Sequence, residues 1–179
     1  MIIALTGEKL AGKGTVADYL VKTKSAQVVR FSQPLTDILH RLYQPNTRQE
    51  LVALGTFLRQ RFGNDVLVKV VINDLNKLSD QLVIVDGMRY LVEYEACAKL
   101  PDFYLLNITA PIKTRYDRTK FRQEKVDEAN MTLAEFEKKE SDQTEQEITL
   151  VQQHANFTIH NTGTLDDLYN QVNLWCATL

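Results

Sequence analysis

From Gly7 to Thr15 the chain reads GEKLAGKGT, with the apolar run IIALT (Ile2–Thr6) before it and VADYL after it. Three glycines and a lysine between a strand-like and a helix-like run leave few folds open. In a tight glycine loop, successive backbone N–H groups turn inward and form a concave anion site. The N-terminus of the helix that follows adds a partial positive charge. Lys13 adds a mobile cation, suited to the outer phosphates of a nucleotide. The stretch fits G-x-x-x-x-G-K with Gly7, Gly12 and Lys13, but Gly14 stands where the strict pattern has Ser or Thr, and Thr15 follows it. A tight strand–helix turn that holds no anion is the plain alternative, and the strand context weighs against it. The Lys13 side chain is expected in solvent when nothing is bound.

The rest of the chain alternates. Strands are predicted at Ile2–Thr6, Gln27–Phe31, Gln81–Asp86, Phe103–Thr109 and Ala155–Asn161. QLVIVD is a continuous apolar run ending in a carboxylate, as in a central parallel strand. Helices are predicted at Lys13–Lys24, with Val16, Leu20 and Val21 on one face, and from Pro34 through Leu42. Further helices are expected after the capping box TRQE up to a stop at Gly63, then at Asp65–Leu78, Glu93–Leu100 and Pro111–Phe121. A second capping box, TLAE from Thr132, opens a long charged helix to about Gln152, and Thr164–Trp175 forms the last one. Strands alternating with helices imply an α/β fold, a parallel sheet covered on both faces.

Length and charge narrow the function. At 179 residues with 44% hydrophobic content, one domain with a full core is expected. A net charge of -2 argues against a basic nucleic-acid surface. Cys97 and Cys176 are read as buried core thiols. His40, His154 and His160 lack metal-ligand spacing. No run approaches the length of a membrane span and the N-terminal run is unlike a signal peptide, so a cytoplasmic protein is expected.

GKGT is the form carried by adenylate kinase and other nucleoside monophosphate kinases, which the chain resembles. IVDGMR (Ile84–Arg89) looks like the element of those kinases in which a strand ends in Asp-Gly with an arginine close behind. Here it is one residue shorter and lacks the usual proline. Pro34–Leu35 and the LGT-x-x-R stretch from Leu54 to Arg59 resemble phage-type deoxynucleoside monophosphate kinases. ANFTIHNTGTLDDLYNQV, from Ala155, resembles the C-terminal third of dephospho-CoA kinase. The resemblance covers essentially the whole chain. It implies one P-loop kinase domain over 1–179, with five parallel strands in the order 2-3-1-4-5. An acceptor-binding helical region at about 33–79 and a short helical lid at about 115–132 go with it.

What the resemblance implies for the site can be set beside a plainer reading of each residue. ATP would lie on Gly7, Leu10, Ala11, Gly12, Lys13, Gly14 and Thr15, with Mg²⁺ near Thr15 and Asp86. Asp86 ends a strand at the edge where open α/β sheets bind ligands, or is only a turn former before Gly87. Arg89 would bind an acceptor phosphate, its planar guanidinium suiting bidentate contact, or would pair with Glu93 as an i,i+4 surface bridge. Arg59 has a similar case; its neighbour Arg61 is open to a plain solvated reading. Arg115, Arg118 and Arg122 fall within roughly 60° on one helix face. Such a cluster fits a transferring phosphoryl group, or a solvated face balanced by Glu124 and Asp127. Asn161 and Gly163 would lie near the adenine, or form an ordinary turn. The implied activity is phosphoryl transfer from ATP to a small phosphorylated acceptor, a (deoxy)nucleoside monophosphate first, in a monomer or homodimer. Dephospho-CoA kinase-like transfer to a hydroxyl and an ATP-binding regulator without a small acceptor are the rivals. The hydroxyl reading needs a base, and Ser32 and Asp37 are poor candidates for it.

Overall fold

The computed structural model describes residues 1–78, 80–120, 132–140 and 143–179. Five strands, β1 (Ile2–Thr6), β2 (Gln27–Arg30), β3 (Val83–Asp86), β4 (Phe103–Thr109) and β5 (Phe157–His160), pair in parallel in the order β2-β3-β1-β4-β5. This is the predicted sheet and order. The helices are α1 (Lys13–Lys24), α2 (Gln33–Arg41), α3 (Arg48–Phe62), α4 (Val66–Asn76), α5 (Leu91–Cys97), α6 (Ile112–Thr119), α7 (Leu133–Glu140), α8 (Gln143–Gln152) and α9 (Leu165–Cys176).

Alternation along β1 sorts the core into two layers. Ile3 and Leu5 face one side with Ile84, Leu106, Ile108 and Ile159, and pack against Val16, Ala17 and Leu20 of α1 and Leu168, Val172 and Trp175 of α9. Ala4 faces the other side with Val83, Val85 and Leu105, under Val68, Val71 and Leu75 of α4, Cys97 of α5 and Val151 of α8. Each fully buried Leu, Ile or Val contributes about 1.5–3 kcal/mol, so both layers are needed for a stable sheet.

The Thr132 capping box forms in full, whereas at Thr47 the side-chain half forms and caps the helix. The Glu50 N–H donates to Thr47 Oγ1 at 3.2 Å, and Gly63, at φ 99°, ends α3. The Thr132 N–H donates to Glu135 Oε2 at 2.7 Å, starting α7. The helix predicted from Thr132 to about Gln152 is described as α7 and α8, with 141–142 outside the described residues.

Three local expectations are corrected. Val21 is exposed, and Ala17 takes the place assigned to it in the buried stripe of α1, because the stripe follows the i, i+1, i+4 positions that meet the sheet. Cys97 is fully buried, but Cys176 is only half-buried, since it lies in the last turn of α9 where the layer opens. α5 begins at Leu91, two residues before the predicted start, because the Glu93 carboxylate caps its first turn.

Candidate active site

A parallel sheet brings every strand's C-terminal end to one edge, and in such sheets ligands bind outside that edge where the strand order reverses. Here the reversal falls at β1, flanked by β3 and β4. The turns after β1, β3 and β5 line one cleft there, about 620 Å³ in volume. It is bordered by Lys13 and Thr15 on the first turn, Asp86 and Arg89 on the second, Arg118 from α6, and Asn161 on the last. Leu10, Gly12, Gly14 and Gly163 also line it.

The glycine loop is built as its sequence demands at two positions. Gly7 and Gly12 have φ 132° and 116°. A Cβ on Gly7 would run into the carbonyl oxygen of Ile108, and one on Gly12 into Nδ2 of Asn161. Gly14 is different: a Cβ there would meet nothing within 4 Å. Ala11 is buried, and its carbonyl accepts from Asn161 Nδ2 at 2.8 Å and from Arg118 at 3.2 Å. The Lys13 side chain does not stand in solvent, as expected from sequence. It curls over its own loop and donates to the carbonyls of Gly7 at 2.6 Å and Glu8 at 2.8 Å. The Glu8 carbonyl also accepts the Ala11 N–H at 3.2 Å, so the ammonium closes on a turn already bonded to itself.

The two described arginines of α6 divide the work. Arg115 is buried, lies over the Phe136 ring, and donates to the carbonyls of Ala110 at 2.9 Å and Lys9 at 3.3 Å. Arg118 reaches the cleft and donates to the carbonyls of Leu10 at 2.9 Å and Asn161 at 3.2 Å. Burial, and then the neighbouring Arg115 charge, draw the Arg118 guanidinium below the ordinary arginine range. Arg122 lies outside the described residues, as does most of the expected lid.

Two residues of this edge were given no part in the site from sequence, Glu93 being named only as a surface partner of Arg89. Arg30 ends β2 in register with Asp86, and its Nε lies 3.3 Å from Asp86 Oδ2. An arginine closing an apolar strand at the level of that carboxylate was the available signal. Glu93 is the second. Arg89 precedes α5, so the i,i+4 surface bridge does not form. Instead Glu93, only 3% exposed, accepts the backbone N–H of Arg89 at 2.8 Å and of Tyr90 at 3.2 Å on Oε2. Its Oε1 is 4.0 Å from the Arg59 guanidinium, which lies over the Tyr90 ring at 4.9 Å. Burial pushes the Glu93 carboxyl up to about 7, against those two N–H groups and the charges of Arg59 and Arg89. Arg59 therefore sits beside the Arg89 turn, not in the lining of the cleft.

No protein-family model matches the chain. It is 29% identical over 177 residues to a UPF0200/UPF0201 protein of Archaeoglobus fulgidus, an alignment covering 96% of this chain and 53% of that one. The chain thus spans about half the length of that relative. It is 27% identical to a UPF0200 protein of Sulfurisphaera tokodaii, covering 93% of this chain and 90% of the other. Among solved structures it is similar to the shikimate kinase of Aquifex aeolicus, with a TM-score of 0.54 and 16% identity over 99% of this chain and 97% of that one. The five-stranded parallel sheet in the order β2-β3-β1-β4-β5, covered by helices, is a fold the chain shares with that kinase. Among the described residues no helix is long and apolar enough to cross a membrane.

Proposed function

We propose that the chain is an ATP-dependent phosphotransferase whose acceptor is a small phosphorylated molecule, a (deoxy)nucleoside monophosphate first. The observation that carries this is the placing of Lys13, Arg118 and Arg89 around one cleft at the switch point of the sheet. Phosphoryl transfer leaves little covalent work to a protein; positioning and charge neutralisation do most of it. Lys13, released from the carbonyls of Gly7 and Glu8, turns to the phosphates. Arg118 stabilises the moving group, and Arg89 holds the acceptor's own phosphate.

Thr15 and Asp86 line the same cleft and offer hard oxygen ligands. Among the described residues no group of three His, Cys, Asp or Glu could hold a metal alone. That donor set suits Mg²⁺, which binds through one or two protein oxygens, water and substrate phosphates. The ion would supply charge neutralisation between the phosphates.

The carboxylate supply favours an acceptor phosphate over a hydroxyl. Asp86 is the one acidic residue lining the cleft among the described residues, and Arg30 already engages it. Asp37 accepts the Gln33 amide at 2.7 Å on the exposed face of α2. A phosphate acceptor is already an anion and needs no base. The reading is tested by following ADP formation from ATP–Mg²⁺ with a panel of nucleoside monophosphates and dephospho-CoA. Turnover that depends on a monophosphate is expected. One slow rate shared by every acceptor would mean a regulator, and a response to dephospho-CoA alone would mean a hydroxyl acceptor.

A further inference from the structure

The acceptor side holds a buried carboxylate that the proposed chemistry does not use. Glu93 lies under the turn bearing Arg89, and its two oxygens have separate partners. Oε2 takes the backbone N–H groups of Arg89 and Tyr90. Oε1 faces the Arg59 guanidinium at 4.0 Å, a loose ion pair. Arg59 does not depend on this pair for its place, because the Tyr90 ring lies under it. Gly55 also lets it lie flat: a Cβ there would stand 3.1 Å from Arg59 Nη1.

We infer that Glu93 is the resting counter-ion of Arg59, and that an anionic acceptor displaces it, leaving one proton from solvent on Glu93 Oε1. Glu93 acts through Arg59, as a positioning residue for the acceptor's charged group. The inference rests on the acceptor reading above.

The physical argument is competition at close range. An acceptor phosphate held by Arg89 draws the neighbouring Arg59 guanidinium from Glu93 and sets a second negative charge near it. Both changes disfavour a buried carboxylate. The Oε2 hydrogen bonds survive protonation, because a carboxylic acid keeps an accepting carbonyl oxygen. The charged and titratable groups recorded against Glu93 are Arg59 from α3, Arg89 and Tyr90 from the turn, and Cys97 one turn along α5. Cys97 is pushed up to about 12 by burial and by Glu93 itself, so it stays neutral through the neutral range. Glu93, held up to about 7, is poised to take the proton there.

The test uses the full chain with the glycine loop filled by a non-hydrolysable ATP analogue and Mg²⁺. Inorganic sulfate stands in for the acceptor's phosphate, because its charge is constant between pH 6 and pH 8.5. The Glu93 carboxyl carbon, assigned by its loss in Glu93→Gln, is titrated by NMR, and the Arg89 guanidinium is observed alongside it. Sulfate should perturb Arg89 and raise the Glu93 midpoint by about one pH unit, so sulfate binds about tenfold more weakly at high pH. In Glu93→Gln the affinity should be independent of pH. If that variant fails to fold, the loss of the same signal in Glu93→Asp supplies the assignment, and the titration of the unaltered protein decides. Sulfate that perturbs Arg89 but leaves Glu93 unmoved overturns this inference and leaves the acceptor reading standing. Sulfate that never perturbs Arg89 overturns both.

Discussion

Lys13 carries two duties that a substitution separates. Without ligand its ammonium holds the carbonyls of Gly7 and Glu8; with ATP it would face the phosphates. Lys13→Ala is therefore expected to cost about 1 kcal/mol of stability, the worth of ordinary hydrogen bonds. Turnover should fall by at least about a hundredfold, the loss typical of removing a group aimed at developing charge. Steady-state kinetics and a denaturant melt on one preparation check both, and full activity would refute the role. The glycines give a sharper contrast. Gly12→Ala sets a Cβ against Asn161 Nδ2 at a φ that favours glycine, and disturbs the Asn161 bond to the Ala11 carbonyl. A loss of about 1–3 kcal/mol is expected. Gly14→Ala meets open space at an ordinary φ and should leave stability unchanged or slightly raised. Equal losses in the two variants would mean the loop is not shaped this way.

Helix α6 joins the glycine loop to the β5 turn through two arginines with different surroundings. Arg115→Ala would strand the buried carbonyl of Ala110 and free the half-buried one of Lys9, at about 1–3 kcal/mol. Its effect should appear chiefly as a lower midpoint in a denaturant melt. Arg118 reaches the cleft, so Arg118→Ala should lower kcat more than it raises the KM for ATP, the signature of an interaction made in the transition state. A pure KM effect would place Arg118 on the bound nucleotide instead. What the sequence made legible follows the range of the forces. α1 runs from Lys13 to Lys24 as predicted, and the boxes at Thr47 and Thr132 start their helices, because loop, cap and periodicity are local signals. The strand order was carried by resemblance to a whole architecture. Arg30 with Asp86, and Arg59 with Glu93, join residues far apart in the chain, and no local pattern marks such pairs. The curl of Lys13 was missed for another reason: an unliganded loop offers its own carbonyls to the ammonium, which a motif read for its bound state does not reveal.

At the scale of the molecule, the buried Glu93 of α5 faces Arg59 of α3, so its protonation is felt in global stability. Burial raises its carboxyl from the ordinary value of 4.5 to about 7. Between those values the folded chain binds a proton that the unfolded chain has lost, so stability falls as pH rises through that window. Below about 4.5 the neutral group carries no penalty; above about 7 the penalty is complete. The rise corresponds to about 3 kcal/mol. Other carboxylates titrate in the same range and obscure the raw profile. The informative quantity is the stability difference between the unaltered chain and Glu93→Gln, whose amide keeps an accepting oxygen for Arg89 and Tyr90. Denaturant melts from pH 4 to pH 8.5 should show the unaltered chain losing about 3 kcal/mol relative to the variant, with half the loss complete below pH 7. A difference that is flat with pH would mean that Glu93 keeps the ordinary carboxylate value in the fold, and that Arg59 holds it far more tightly than a 4.0 Å separation suggests.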